Sequence, residues 1–266
     1  MKTSIEKQKE VLKLRDQGLN FTEIGKIMSF DRHTVARIVN KKYKSQTRVK
    51  LEVFNNMSND LYYFIGLLAT DGCIYKDRVE ISLVEKDIDI LEKFKLFLGD
   101  NVNILKKQKV INEKTFVSYK IAFRSKEIVE LLNSYGLTSR KTFDLKLKIK
   151  LNWHILRGII DGDGSFIVPT KGNPRINIIS ASEDFLKQIS EFLTENNIEH
   201  RFNKQRSYYV INISKQHFVL KTIDNLYQET DTFIQRKYFT ALQVRNYLVI
   251  KLSNSGNQFQ ESRAKP

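Results

Sequence analysis

The chain repeats itself, and that constrains it more than anything else in its sequence. Residues 63–72, Tyr-Phe-Ile-Gly-Leu-Leu-Ala-Thr-Asp-Gly, return 92 positions later as residues 155–164, Ile-Leu-Arg-Gly-Ile-Ile-Asp-Gly-Asp-Gly. Arg78-Val-Glu-Ile reappears as Arg175-Ile-Asn-Ile at an offset of 97. The apolar positions Ile90, Leu91, Phe94, Phe97 and Leu98 match Phe185, Leu186, Ile189, Phe192 and Leu193 at 95. Tyr119 with Ser125-Lys126 matches Tyr208 with Ser214-Lys215 at 89, and Arg140-Lys141-Thr142-Phe143 matches Arg236-Lys237-Tyr238-Phe239 at 96. Five matches in order, with shifts that loop lengths absorb, describe a duplicated domain.

Each copy reads as a helix ending in Asp-Gly, two strands, a helix, two strands and a closing helix. The strands alternate with period two: Val79, Ile81 and Leu83 against Arg78, Glu80 and Ser82, then Ile121 and Phe123 against Ser118, Lys120 and Arg124. In the second copy Ile198, His200 and Phe202 alternate with Glu199, Arg201 and Asn203. Such alternation predicts sheets with one apolar face under helices and one polar face. The polar platforms would carry Arg78, Glu80, Ser82, Lys120 and Arg124 in one copy and Arg175, Asn177, Arg201 and Asn203 in the other. Side by side, two copies make a pseudo-twofold saddle, and duplex DNA has matching symmetry. The plainer reading is a solvated sheet face.

Charge points the same way. The chain carries 45 Lys and Arg against 30 Asp and Glu, a net of +15, so a polyanion is the expected partner, with nucleic acid the common one. Hydrophobic residues at 41% supply a core, which excludes global disorder. A single cysteine, Cys73, excludes a disulfide framework and a Cys-based zinc site. No run of about 18 apolar residues predicts a membrane span, and the first residues lack the apolar stretch of a signal peptide. The four histidines, at 33, 154, 200 and 217, have no metal-ligand spacing. Asp161-Gly-Asp163-Gly-Ser165 begins like a calcium loop, but Phe166 and Gly172 stand where the turn glycine and closing glutamate belong. No Walker loop or dinucleotide fingerprint is present.

The surplus is concentrated at the start. Residues 1–50 hold 13 Lys and Arg against 5 Asp and Glu. They read as three short helices: one striped by Ile5, Val11, Leu12 and Leu14 and ended by Gly18, one opened by Asn20 with Glu23 three residues on, and one ending near Val39. The arrangement resembles a helix-turn-helix of the resolvase or sigma-like kind, with Gly25 at a close approach and Ser29 in the turn. Outward on the third helix stand Arg32, His33, Thr34 and Arg37, followed by Lys41, Lys42 and Lys44. Arginine forks suit guanine edges and the trailing lysines suit phosphates; the plainer reading is a small trihelical bundle with a solvated basic face. The expected organisation is a helix-turn-helix module over 1–44, a linker over 45–56, repeats over 57–150 and 151–253, and a polar, frayed tail over 254–266.

Asp71 and Asp163 fall at the C-terminal ends of apolar helices, where the dipole disfavours a carboxylate by several tenths of a kcal/mol or more. A divalent cation would explain both placements. Gly66 with Thr70, and Gly158 with Gly162, put small residues at i, i+4, a face that lets two helices meet backbone to backbone. Packing through these faces brings Asp71 and Asp163 together, and like charges that close favour a shared metal.

These residues resemble the LAGLIDADG homing endonucleases. Phe64 to Gly72 fills the nine motif positions with Ala69 in place of the first acid, and Leu156 to Gly164 fills them as LRGIIDGDG. The resemblance, over roughly 57–250, implies an α+β fold: the all-α helix-turn-helix followed by a duplicated αββαββα pseudo-twofold saddle in a single-chain monomer that grips double-stranded DNA. It further implies that Asp71 and Asp163 bind Mg²⁺ or another divalent cation, with the carbonyls of Thr70 and Gly162 as extra ligands. Lys141 and Lys237 resemble the family's active-site lysine; ordinary phosphate contact or a helix-end charge is the plainer reading of both. The function implied is site-specific double-strand cleavage, in the setting of a mobile genetic element. The alternative is a transcription regulator or maturase that kept the fold without cleavage; the presence of both acids favours cleavage. Abundant Lys, Asn, Ile, Phe and Tyr fits an AT-rich genome, so the expected setting is the cytoplasm of a bacterial or phage-infected cell, and an organelle fits as well.

Overall fold

The computed structural model describes residues 5–46, 49–99, 102–139, 141–168 and 172–263, in two compact units, Met1–Val49 and Lys50–Pro266. In the first unit, α1 (Ile5–Asp16), α2 (Phe21–Met28) and α3 (Arg32–Gln46) close around Val11, Ile24, Val35, Ile38 and Val39. Asn20 caps α2 by accepting from Thr22 and Glu23 amides while Glu23 accepts from the Asn20 amide, a reciprocal capping box. Ser29 ends α2 in the left-handed region (φ 56°). Gly25 is needed there for the turn rather than for a second helix: an added Cβ would lie 2.7 Å from the Phe30 carbonyl oxygen. The third helix runs past Val39 to Gln46.

The second unit opens with α4 (Glu52–Asn55), inside the segment expected to be a linker. Phe54 explains why: it is fully buried, its ring 5.7 Å from Phe97, and the Lys50 amide donates to the Leu98 carbonyl. The first repeat then runs α5 (Asn59–Thr70), β1 (Gly72–Tyr75), β2 (Arg78–Val84), a 3-10 turn (Glu85–Asp87), α6 (Ile88–Leu98), β3 (Ile104–Ile111), β4 (Lys114–Arg124), α7 (Lys126–Ser134) and a single turn, α8 (Lys141–Asp144). The second runs α9 (Trp153–Asp163), β5 (Gly164–Ile167), β6 (Arg175–Ser180), α10 (Glu183–Glu195), β7 (Arg201–Lys204), β8 (Tyr209–Ile213), α11 (Gln216–Leu226) and α12 (Gln235–Arg263). Residues 198–200, expected within a strand, precede β7, and 254–263, expected to fray, continue α12.

Each repeat forms an antiparallel sheet, ordered β1-β2-β4-β3 and β5-β6-β8-β7. Val79, Ile81, Leu83, Ile121 and Phe123 are buried, as are Ile176, Ile178, Ile211 and Ile213, so the apolar face of each sheet is its core face. The ladder also corrects one alignment of the repeats. Ile81 faces Ile121 while Ile178 faces Ile211, which equates β4 with β8 at an offset of 90, not 89. Tyr119 therefore corresponds to Tyr209: their hydroxyls donate to Glu85 and Glu183 respectively. Ser125 and Lys215, the N-cap residues of α7 and α11, obey the same offset. One residue matters, because a slip of one exchanges the faces of a strand.

The connections cross between repeats. After α8, Leu147 exchanges two hydrogen bonds with the Gln188 amide of α10 (2.9 and 2.7 Å), and Ser182 Oγ donates to the Leu145 carbonyl. Before α12, the chain returns to the first repeat: Lys93 donates to the Asp231 carbonyl, Thr232 Oγ1 to Asp60, and Arg236 forks onto buried Asp87 at 2.5 and 2.7 Å. Lys93 and Gln188 are equivalents at the offset of 95, so the exchange itself is pseudo-symmetric. A charge-assisted, two-pronged pair such as Arg236–Asp87 fixes direction as well as distance.

Candidate functional site

The repeats meet where α5 lies against α9. Ser58 and Asn152 cap the starts of these helices by accepting from the Leu61 and Ile155 amides. A Cβ on Gly66 would lie 2.1 Å from the Ile155 carbonyl oxygen, and one on Gly158 2.1 Å from that of Tyr63. Backbone touches backbone along the glycine faces. At the far end a Cβ on Gly162 would lie 1.9 Å from Thr70 Oγ1 and 2.8 Å from Asp71 Oδ2. The Asp71 carboxylate thus sits against the residue preceding Asp163, and Thr70, Asp71, Gly162 and Asp163 gather where two helix C-termini converge. Asp71 is the half-buried C-cap of α5; Asp163, the last residue of α9, is exposed.

Lys237 is turned to a helix end. It is 8% exposed, and its ammonium donates to the carbonyls of Ile160 (2.8 Å), Gly162 (3.0 Å) and Gly164 (2.8 Å). An ammonium has three hydrogens, and the end of α9 takes all three. This is a side-chain cap on carbonyls that a helix C-terminus leaves open, at the end where a cation is favoured. Burial pushes its pKa down, against the pull of Asp161 and Asp71. The Gly162 carbonyl, expected to be a metal ligand, is therefore already an acceptor. Lys141 begins α8 on the equivalent segment, and its side chain lies outside the described residues.

Asp161, at the first acid position of the second motif, is fully buried and turns inward. Its Oδ2 accepts from the Tyr63 hydroxyl (2.7 Å) and the Ile234 amide (2.8 Å), while Oδ1 is buried without a hydrogen-bond partner. Burial raises its pKa to about 6, offset in part by those donors and by Lys237 and Arg157. Arg157, 1% exposed, lies over the Tyr63 ring and donates to the Thr232 and Leu226 carbonyls. The sequence shows a charge in a glycine-rich apolar helix at both positions but not its partners, which lie about 70 to 100 residues away along the chain. Ala69, the counterpart of Asp161, is simply buried.

Hard oxygen donors from two carboxylates are what Mg²⁺ takes. Among the described residues, however, no group of three or more His, Cys, Asp or Glu could hold a metal. Asp71 and Asp163 fit as the protein's share of a site that needs further oxygen ligands from a substrate.

The outward sheet faces differ. On the first, Arg78 and Lys120 both bind Glu80, and Arg124 binds Asp77 at 2.7 Å; Ser82 is exposed. On the second, Arg175, Arg201 and Asn203 are exposed around a groove of about 510 Å³, and Asn212 donates to Asn177 Oδ1 at 2.6 Å. Asn212 is absent from the expected contacts because the slipped alignment hid the outward register of β8. In the first unit Arg32, His33 and Arg37 are exposed, while Thr34 is half-buried and donates to Asp31. The side chains of Lys41 and Lys42 lie outside the described residues. No described helix is long and apolar enough to cross a membrane.

Comparisons with known proteins bear on this geometry. Solved structures share the fold: homing endonuclease I-WcaI bound to its DNA recognition sequence (TM-score 0.55, 12% identity, 76% of this chain and 92% of that one), and the LAGLIDADG meganuclease I-AabMI bound to uncleaved DNA (0.52, 16%, 73% and 92%). A third is I-SmaMI bound to an uncleaved DNA target in the presence of calcium ions (0.51, 13%, 79% and 97%). A search of curated protein sequences gave no match. The family profile described as a LAGLIDADG-like domain matches residues 58–136 and 153–226, one stretch in each repeat. With both repeats matched and the two motif helices packed through their glycines, the chain belongs to the LAGLIDADG-like domain family.

Proposed function

We propose that the chain is a site-specific double-strand DNA endonuclease whose two motif aspartates, Asp71 and Asp163, hold divalent metal. The observation that supports the reading is the packing of α5 on α9 through Gly66, Gly158 and Gly162, which sets the Asp71 carboxylate against the residue before Asp163. One acid from each repeat matches a substrate with one scissile bond in each strand. Mg²⁺ held there would supply a Lewis acid for the phosphoryl oxygen, an activated water and help for the departing oxyanion.

The protein's own groups have narrower tasks. Asp71 and Asp163 provide negative oxygen ligands. Lys237 is a positioning residue: it ties the last turn of α9, and with it Asp163, to the start of α12. Lys141 is the remaining candidate for contact with a phosphate near the cut. The polar sheet faces serve as the DNA platform, and Arg32, His33 and Arg37 of the first unit give a second, separate contact to duplex DNA.

A second reading, a DNA-binding protein that does not cut, is favoured by one observation: the Lys237 ammonium is taken up by three backbone carbonyls, Gly162 among them. Incubating the protein with a randomised duplex library, with Mg²⁺ and separately with EDTA, separates the two. Discrete Mg²⁺-dependent ends inside one enriched site, lost in Asp71→Asn and Asp163→Asn with binding kept, support the endonuclease. Enrichment of a site with no cut ends gives the binding protein. Mutants that no longer bind DNA or fold would remove the metal role.

A further inference from the structure

The outward faces of the two sheets differ in which polar groups are paired. On the first, the charged forks are already occupied: Arg78 and Lys120 converge on Glu80, and Arg124 holds Asp77. Beyond the core, its β3–β4 hairpin turns at Asn112–Glu113, both at positive φ, and carries exposed Lys107, Lys109 and Lys114. Lysine is a mobile point charge, which suits phosphates better than the fixed two-pronged geometry of base readout.

The second sheet has the opposite composition. Its register lines up Ser165, Asn177, Asn212 and Arg201 across all four strands. The corresponding row of the first sheet is Cys73, Glu80 and Ala122. Arg175 and Arg201 have no carboxylate partner among the described residues. Asn212, which lines the groove, gives one amide hydrogen to Asn177 Oδ1, which fixes the pair; its own Oδ1 and second hydrogen have no partner among the described residues. An amide with one free acceptor and one free donor is the complement of the adenine N6/N7 edge, and an unpaired arginine fork that of guanine O6/N7.

We propose that the second repeat reads sequence and the first holds backbone. Asn212, braced by Asn177, selects an A·T pair. Arg201, its cross-strand neighbour, selects an adjacent G·C pair. The lysine hairpin adds affinity without preference. This rests on the DNA-binding part of the function proposed above.

The test uses the full chain and a randomised duplex library, sequencing bound DNA for the parent, for Asn212→Ala, and for Lys107→Ala with Lys109→Ala. An iron chelate coupled to the tip of the β3–β4 hairpin, through Asn112→Cys in a Cys73→Ser background, marks the half-site under the first repeat. Asn212→Ala should flatten one A·T position by roughly fivefold to 150-fold, in the half away from the chelate cuts, and leave other positions unchanged. The double lysine variant should keep every preference while the slope of log K against log salt falls by about 1.8. A uniform loss of affinity in Asn212→Ala, an altered base preference in the lysine variant, or the sensitive position lying beside the chelate cuts would overturn the division. Failure of the parent to bind any duplex would overturn the endonuclease reading with it.

Discussion

Lys237→Met keeps most of the aliphatic stem of the side chain and removes only the ammonium. Three carbonyls at the end of α9 then lose their donor, and Asp161 loses one of the two buried cations that face it. A hydrogen bond to a charged group contributes about 1.5–3 kcal/mol net. The three here share one turn and one ammonium, so they do not add. Taking one partner from a buried charged network costs about 3–5 kcal/mol, and that range applies because Lys237 is 8% exposed. For a unit of roughly 150–250 residues, each kcal/mol moves Tm by ~2–4 °C, so a fall of about 6–20 °C is expected. The assay is thermal unfolding followed by circular dichroism, with duplex binding and cleavage measured well below the new Tm. A Tm within about 2 °C of the parent, together with abolished cleavage, would refute the capping role and return the ammonium to the substrate.

Gly66→Ala forces a methyl group into the Ile155 carbonyl, an obstacle that no rotamer change relieves. A loss at or above the top of the usual overpacking range, about 3 kcal/mol, is expected in urea unfolding, and an unchanged midpoint would refute the backbone contact. Asp161 has its pKa raised from 3.8 to about 6, so between those values the folded chain keeps a proton that the unfolded chain has lost. Stability should therefore fall as pH rises through that window and level off above it. Asp161→Asn, which can still accept from Tyr63 and Ile234, should remove this dependence; an identical pH profile would show that the carboxyl is not buried as described. Deleting residues 1–49 should leave residues 50–266 folded, as a compact unit of its own, but with weaker duplex binding and a shallower salt dependence. Equal binding would detach the first unit from DNA recognition.

Much of this molecule follows from local pattern. Period-two alternation marks the buried faces of β2 and β4, because a strand turns successive side chains to opposite sides whatever it pairs with. Small residues at i, i+4 mark the contact of α5 with α9, because only a missing side chain permits that approach. Asn20 and Glu23 announce the start of α2, because a capping box closes within four residues. Other features needed the chain to be folded. Sequence matching aligned Tyr119 with Tyr208, and only the ladder between β6 and β8 identified Tyr209, since register is a property of two strands together. The polar tract 254–263 reads as a frayed tail, yet α12 carries on through it. Lys237 reads in the sequence as an active-site lysine or a helix-end charge, and which helix end it meets appears only when α12 returns across the end of α9. Asp161 stands in the sequence only as the first acid of a motif, and its enclosure by Tyr63 and Ile234 exists only in the fold. Local order is written in spacing along the chain; the role of a buried charge is set by partners far away in sequence, which no spacing records.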